Sequence, residues 1–171
     1  MSAYSLQPLY LDRNRIRVLV DAWLALPRVR DWWGEPDEAI ELLSFCADRQ
    51  TAVLLQAARR NIGCACWRTL SPHERAIVTT GAPEDFLLPG HIEDVDLFIG
   101  EPEALARGAG PIFLELIVRR IRRTYPQASV SVCIAEENQR ALRAAQKADF
   151  QKQHRFQDST DGPTWLLLRQ P

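Results

Sequence analysis

Apolar residues recur at helical spacing over residues 15–26, at Ile16, Leu19, Val20, Trp23 and Leu24, and Pro27 ends that predicted helix. A short strand at 5–11 precedes it. The loop RVRDWWGEP follows, with Pro36 at a helix start, and Ala39, Ile40, Leu42, Leu43 and Phe45 predict a second helix to about Ala47. Strand-like runs at 51–58 and 62–70 then flank Arg59-Arg60-Asn61, which reads as the turn of an antiparallel hairpin. A strand starts near Ile92. Beyond it, Phe113, Leu114, Ile117, Val118 and Ile121 form the apolar stripe of a helix from Pro111 to about Tyr125. SVSVCI at 129–134 is a strand, 136–148 is a helix with Leu142 and Ala145 inward, and strands at 150–157 and 164–169 surround DSTDGP.

The strand, crossover helix and strand over about 92–134 make a parallel βαβ unit, and the hairpins on both sides imply antiparallel neighbours. The expected fold is therefore α/β: one domain, residues 1–171, with a mixed sheet and helices on both faces. Within it, VDLFIGEPEALARGAGP at 95–111 reads as a strand, an acidic loop and a glycine-rich turn that opens the main helix. Unpaired N–H groups in a helix's first turn and the positive end of its dipole favour an anion there. Gly108 and Gly110 allow close approach, and Arg107 adds charge. The full G-x-G-x-x-G and Walker patterns are absent.

Composition narrows the classes. With 46% hydrophobic and 25% charged residues, the chain can bury a core without staples, and a net charge of -1 argues against nucleic acid as the main partner. RRIRR at 119–123 reads as a solvated helix face with cations near its C-terminal end. Residues 76–106 hold no Lys or Arg but carry Glu84, Asp85, Glu93, Asp94, Asp96, Glu101 and Glu103, a one-sided field that would attract a cationic ligand. Charges interrupt every apolar run, so no membrane span is expected. Cys46, Cys64, Cys66 and Cys133 lack zinc-site spacing, no metal is expected, and a reduced cytoplasm is the expected compartment.

Four segments, VRDWWGE, VDLFIGEPE, RGAG and ENQRALRAAQKADF, resemble the GNAT superfamily of N-acetyltransferases, and within it the aminoglycoside 6'-N-acetyltransferases. The resemblance implies a centrally splayed sheet with acetyl-coenzyme A between the strands around Asp96 and Val132, and its pyrophosphate on the turn amides of Arg107, Gly108, Ala109, Gly110 and Ile112. It also implies coenzyme contacts from Leu97, Phe98 and Ile99 on the central strand and from Asn138. Substrate contacts would come from Trp32, Trp33, Glu35, Asp96 and Glu101. A glutamine or arginine usual in the superfamily is Leu105 here, as is common in the aminoglycoside branch.

Acetyl transfer needs a neutral amine, a donor to the developing oxyanion and a proton for the thiolate. Deprotonating an amine of pKa near 10.4 costs roughly 4–5 kcal/mol at pH 7. The resemblance makes Asp96 the group that orients the amine and accepts its proton, and a backbone N–H of Leu97 or Phe98 the oxyanion donor. It also expects a tyrosine where this chain has Ala145, and a glycine where it has Asp149, a residue type that tolerates left-handed backbone. The expected function is an acetyl-coenzyme A-dependent N-acetyltransferase of a small polycationic amine. The alternatives are an acetyl-coenzyme A-binding module with little turnover, or an acyltransferase of the siderophore or protein-amine type.

Overall fold

The computed structural model describes residues 4–105 and 107–171; Ala106, inside the predicted stretch 95–111, lies outside the described residues. The strands are β1 (Tyr4–Pro8), β2 (Ala52–Ala57), β3 (Arg60–Thr69), β4 (Ile92–Ile99), β5 (Ser129–Ala135), β6 (Gln151–Asp158) and β7 (Gly162–Arg169). The helices are α1 (Asn14–Leu24), α2 (Pro27–Trp33), α3 (Pro36–Asp48), α4 (Pro72–Val78), α5 (Ala109–Thr124) and α6 (Gln139–Lys147). The sheet order is β1-β2-β3-β4-β5-β7-β6, the mixed α/β arrangement expected. β4 and β5 are parallel, their ladder pairing Ile92 with Ser129, Glu93 with Val130 and Asp94 with Ser131.

Two compact units share these elements. The first comprises Met1–Trp67 and Asp96–Leu116. Its core joins Val20, Trp23 and Leu24 of α1 to Leu43 of α3, Leu54 of β2 and Phe98 of β4. Cys46, Cys64 and Cys66 belong to the same core, and burial pushes the Cys64 thiol far up from its ordinary range, so it behaves as a small apolar side chain.

The segment expected to be a loop, RVRDWWGEP, is instead largely α2. Pro27 stops α1 and also stands at the first position of α2, where its missing N–H costs nothing; buried Val29 holds the helix down, and Gly34, at φ 74, ends it. The hairpin turn also differs. Ala58 and Arg59 form it, at φ 47 and 66, while Asn61 lies in β3 and accepts a hydrogen bond from the Gln56 side chain. A two-residue hairpin turn whose twist matches its strands needs positive φ at both central residues, so two non-glycine residues adopt left-handed backbone here.

The second unit comprises Arg68–Val95 and Ile117–Pro171. Leu70, Val78, Ile92, Phe156, Leu166 and Leu168 form its core. Helix α4 lies where no element was expected, although its start is written in the sequence. The Ser71 hydroxyl accepts from the Glu74 N–H, and the Glu74 carboxylate accepts from the Ser71 N–H, with Pro72 at the first helical position. Asp149 follows α6 at φ 62, the left-handed conformation its side chain tolerates.

Candidate active site

The glycine turn and the end of β4 belong to the first unit. Gly108 sits at φ 76, exposed, and among the described residues other than its chain neighbours no atom lies within 4 Å of where a Cβ would stand. This backbone lets α5 begin at Ala109, two residues earlier than predicted, so Pro111 is the third helical residue. A third-position N–H has no partner in a helix, so the proline breaks no helical bond; the amides of Ala109 and Gly110 remain first-turn donors, while Ile112, the fourth helical residue, is the first whose N–H enters the helical ladder, so its expected contact through the amide is lost. Buried Ala109 and Phe113 anchor this end, the Phe113 ring meeting Tyr4 edge-on at 5.4 Å. Arg107 is exposed, and the Ile112 side chain is partly so.

Side chains alternate along β4, so Asp96 and Phe98 share one face, with Leu97 and Ile99 on the other. Phe98 is buried and its ring is met edge-on by Trp33 at 4.8 Å and by Trp23 at 6.2 Å. Asp96, half-buried, therefore lies on the strand face covered by the α1 and α2 tryptophans.

The backbone alternates too. The Gly100 N–H donates to the Ile62 carbonyl on β3, and a Cβ on Gly63 would stand 2.1 Å from the Phe98 carbonyl oxygen. The polar backbone groups of Phe98 and Gly100 thus face β3, and the Leu97 N–H points the opposite way.

Beyond Ile99 the strand is clamped. Trp23 Nε1 donates to the Glu101 carboxylate at 2.9 Å, the Arg28 guanidinium donates to the Gly100 carbonyl, and the indole of Trp23 lies where a Gly100 Cβ would be. Glu101, an expected substrate contact, is half-buried and held in this bond. Of the other expected contacts, Trp33 is packed on the core, Trp32 is 40% exposed, and Glu35 is exposed at the N-cap of α3, where its side chain makes no cap hydrogen bond.

Asn138 lies in the second unit, where its side-chain oxygen accepts from the Ala141 N–H and caps α6. Ala145, at the position where a tyrosine was expected, is fully buried. The acidic run also divides. Glu93 and Asp94 are buried within the second unit. Glu93 accepts from Thr69 Oγ1 and pairs with His91 Nε2, each at 2.7 Å, and Asp94 accepts from Ser131 Oγ at 2.5 Å. These two carboxylates serve the interior, while Glu84, Asp85 and Glu103 are exposed.

Trp23 and Arg28 are the positioning residues that sequence reasoning missed. Trp23 registered only as a helix core position, and the sole sign of more was the single glycine ending the β4 run.

A family model described as an acetyltransferase (GNAT) domain matches residues 17–158. No curated protein matches the chain by sequence. Among solved structures, the aminoglycoside acetyltransferase AAC(6')-Ib in complex with coenzyme A and kanamycin is similar over 98% of this chain and 94% of its own, with TM-score 0.73 and 18% identity. An aminoglycoside N(6')-acetyltransferase from Legionella pneumophila gives TM-score 0.70 at 13% identity, covering 98% of this chain and 92% of that one. A GNAT-family acetyltransferase from Bacillus anthracis gives 0.71 at 7% identity, covering 99% and 95%. At such identities the likeness is one of fold.

Proposed function

We infer the acceptor and the residue roles from one premise: this chain belongs to the GNAT acetyltransferase family. It is an N-acetyltransferase whose co-substrate is acetyl-coenzyme A, which supplies the activated acetyl thioester. Residues 1–171 act as one acetyltransferase domain, a reading supported by a family match that runs through both compact units.

The residues present fit the coenzyme. The open Gly108 turn and the first-turn amides of Ala109 and Gly110 make an anion cradle for a pyrophosphate, with Arg107 beside it as a further cation. Leu97 and Ile99 line the other face of β4 from Phe98. The Leu97 N–H, turned away from β3, is the donor to the oxyanion that develops as the acetyl carbonyl is attacked, a choice between Leu97 and Phe98 that rests on backbone alternation.

The acceptor is a primary amine of a small polycationic molecule, of which an aminoglycoside 6'-amine is the type. Asp96 carries this reading: a half-buried carboxylate on the face of β4 that also bears the tryptophan-packed Phe98. It orients the ammonium, takes its proton directly or through water, and so exposes the lone pair that forms the new C–N bond as the C–S bond breaks. Water protonates the departing thiolate, whose thiol pKa of ~8.5 makes it a tolerable leaving group. Trp32, Glu35 and Glu101 supply an aromatic surface and negative charge around the acceptor. Neighbouring folds captured with kanamycin, paromomycin and ribostamycin support the substrate class. Acetylation removes one positive charge from such a molecule, which makes antibiotic resistance the corresponding biological effect. Among the described residues the four cysteines form no disulfide, which fits a cytoplasmic setting.

Turnover of kanamycin by the Asp96→Asn variant, followed by thiol release, tests the assignment. A general base contributes ~10²- to 10⁴-fold, so kcat falls by at least about a hundredfold. A rate within about threefold of the unaltered protein refutes the role.

Ala145 supports a second reading, a coenzyme-binding module with little turnover, because the position where a tyrosine could protonate the thiolate holds a buried methyl group. Calorimetry with coenzyme A, beside thiol release across amines, separates the two. Tight binding with no release from any amine favours the module.

A further inference from the structure

We propose that the hollow beside the β2–β3 turn is a second ligand site of this chain, shaped for a free α-amino acid. It is an open hollow of about 220 Å³, lined entirely by residues of the first unit. Ala57, Ile62 and Ala104 give it an apolar floor, and Arg60, Arg107, Glu101 and Glu103 bring charges of both signs to it.

The balance of those charges selects the ligand. A simple cation would meet two guanidiniums, and a simple anion would meet two carboxylates. A molecule with an ammonium and a carboxylate a few bonds apart satisfies both sets, and a short apolar side chain covers the floor. Among the described residues, Arg60, Arg107 and Glu103 make no side-chain hydrogen bond or ion pair, so these groups are not neutralised by one another. Glu101 is the exception, and its bond from Trp23 fixes that carboxylate in place.

Size agrees with charge. An apolar cavity of ~150 Å³ holds benzene, so about 220 Å³ suits a ligand of on the order of nine non-hydrogen atoms, such as leucine or methionine. Ala58, left-handed at φ 47 in the β2–β3 turn, is part of its lining. Arg60, Glu103, Ala57 and Ala104 have no part in the acetyl-transfer reading, whereas Arg107 and Glu101 are shared with it, so amino-acid binding to the coenzyme-free protein tests this hollow separately from turnover.

The test is amide-resonance titration of the full-length protein with L-leucine and L-methionine, with isoamylamine as the amine-only probe and isocaproate as the acid-only probe. Saturable binding of at least one amino acid at millimolar or tighter Kd is expected, with each single-charge probe weaker by about tenfold or more. Arg60→Glu, which reverses an exposed charge, and Ala104→Leu, which fills the floor, each weaken amino-acid binding by about tenfold with unchanged thermal unfolding. The proposal is overturned if neither amino acid saturates below about 20 mM, on the order of the weakest affinities worth calling specific. It is equally overturned if isoamylamine or isocaproate matches the amino acids, or if both variants stay folded and keep the original affinity.

Discussion

Replacing Gly100 with alanine puts a methyl group 2.2 Å from Cγ, 2.3 Å from Cδ2 and 2.5 Å from Cδ1 of Trp23, well inside van der Waals contact. The indole has nowhere to retreat. It is 3% exposed, stands edge-on to Phe98, and donates through Nε1 to Glu101 at 2.9 Å. Overpacking of this kind costs ~1–3 kcal/mol, and displacing the indole also forfeits a hydrogen bond to a charged group worth ~1.5–3 kcal/mol. These overlap, so the expected loss is about 3 kcal/mol, or roughly 6–12 °C in Tm for a chain of this size.

Thermal and urea unfolding of Gly100→Ala measures it, and a double-mutant cycle isolates the cause. Trp23→Ala alone costs ~3–5 kcal/mol but removes the ring, so adding Gly100→Ala to it costs under about 1 kcal/mol. An equal decrement in both backgrounds, or a Tm drop below about 2 °C in the single variant, refutes the argument that Trp23 occupies the space of the missing side chain.

Other perturbations reach different levels of the structure. Because Ala58 and Arg59 hold positive φ, Ala58→Asn and Arg59→Gly each raise stability by about 0.5–1 kcal/mol, read as an upward shift in Tm. Gly63→Ala, whose Cβ would meet the Phe98 carbonyl, forces β3 away from β4 and lowers Tm, most simply seen by circular dichroism. Burial tends to raise the Glu74 pKa, but hydrogen bonds from the Ser71 side chain and backbone and the Arg68 charge outweigh it and hold the carboxyl below its usual range. Its contribution is therefore complete above the ordinary carboxylate pKa and disappears as the pH falls through the lowered one. Glu74→Gln loses about 0.5 kcal/mol at pH 7 after allowing for solvent screening, and unfolding curves of the two proteins converge once the pH has fallen below the lowered carboxyl pKa.

Legibility followed the range of the forces involved. The α1 and α3 stripes, the α5 stripe and the β4–α5–β5 crossover appeared as periodicities because each depends on one face of one element meeting the core. The Ser71–Glu74 capping box was equally local, yet α4 was missed because seven residues give too little period to register. Helix α2 was missed for another reason: a proline that ends one helix can begin the next, and only the burial of Val29 decides it.

At the site, the glycine turn, the family segments and Asp96 as candidate base were readable from residue type and order. The direction of the Leu97 N–H was not, since it depends on which backbone groups of β4 face β3. Nor was the retreat of Glu93 and Asp94 into the interior, because a carboxylate looks the same in sequence whether it faces solvent or a buried hydroxyl.

The amino-acid order by itself therefore determined the elements with strong periods, the glycine-rich turn before α5 and the family, all readable from residues close together in the chain. The tertiary structure alone decided that Trp23 and Arg28 clamp the end of β4 and that Glu101 is held by an indole 78 positions away in sequence. It alone decided, too, that charges from β3 and from the turn after β4 meet around one hollow. Such contacts form only when folding brings distant residues together, and their energies depend on distances that no local pattern encodes.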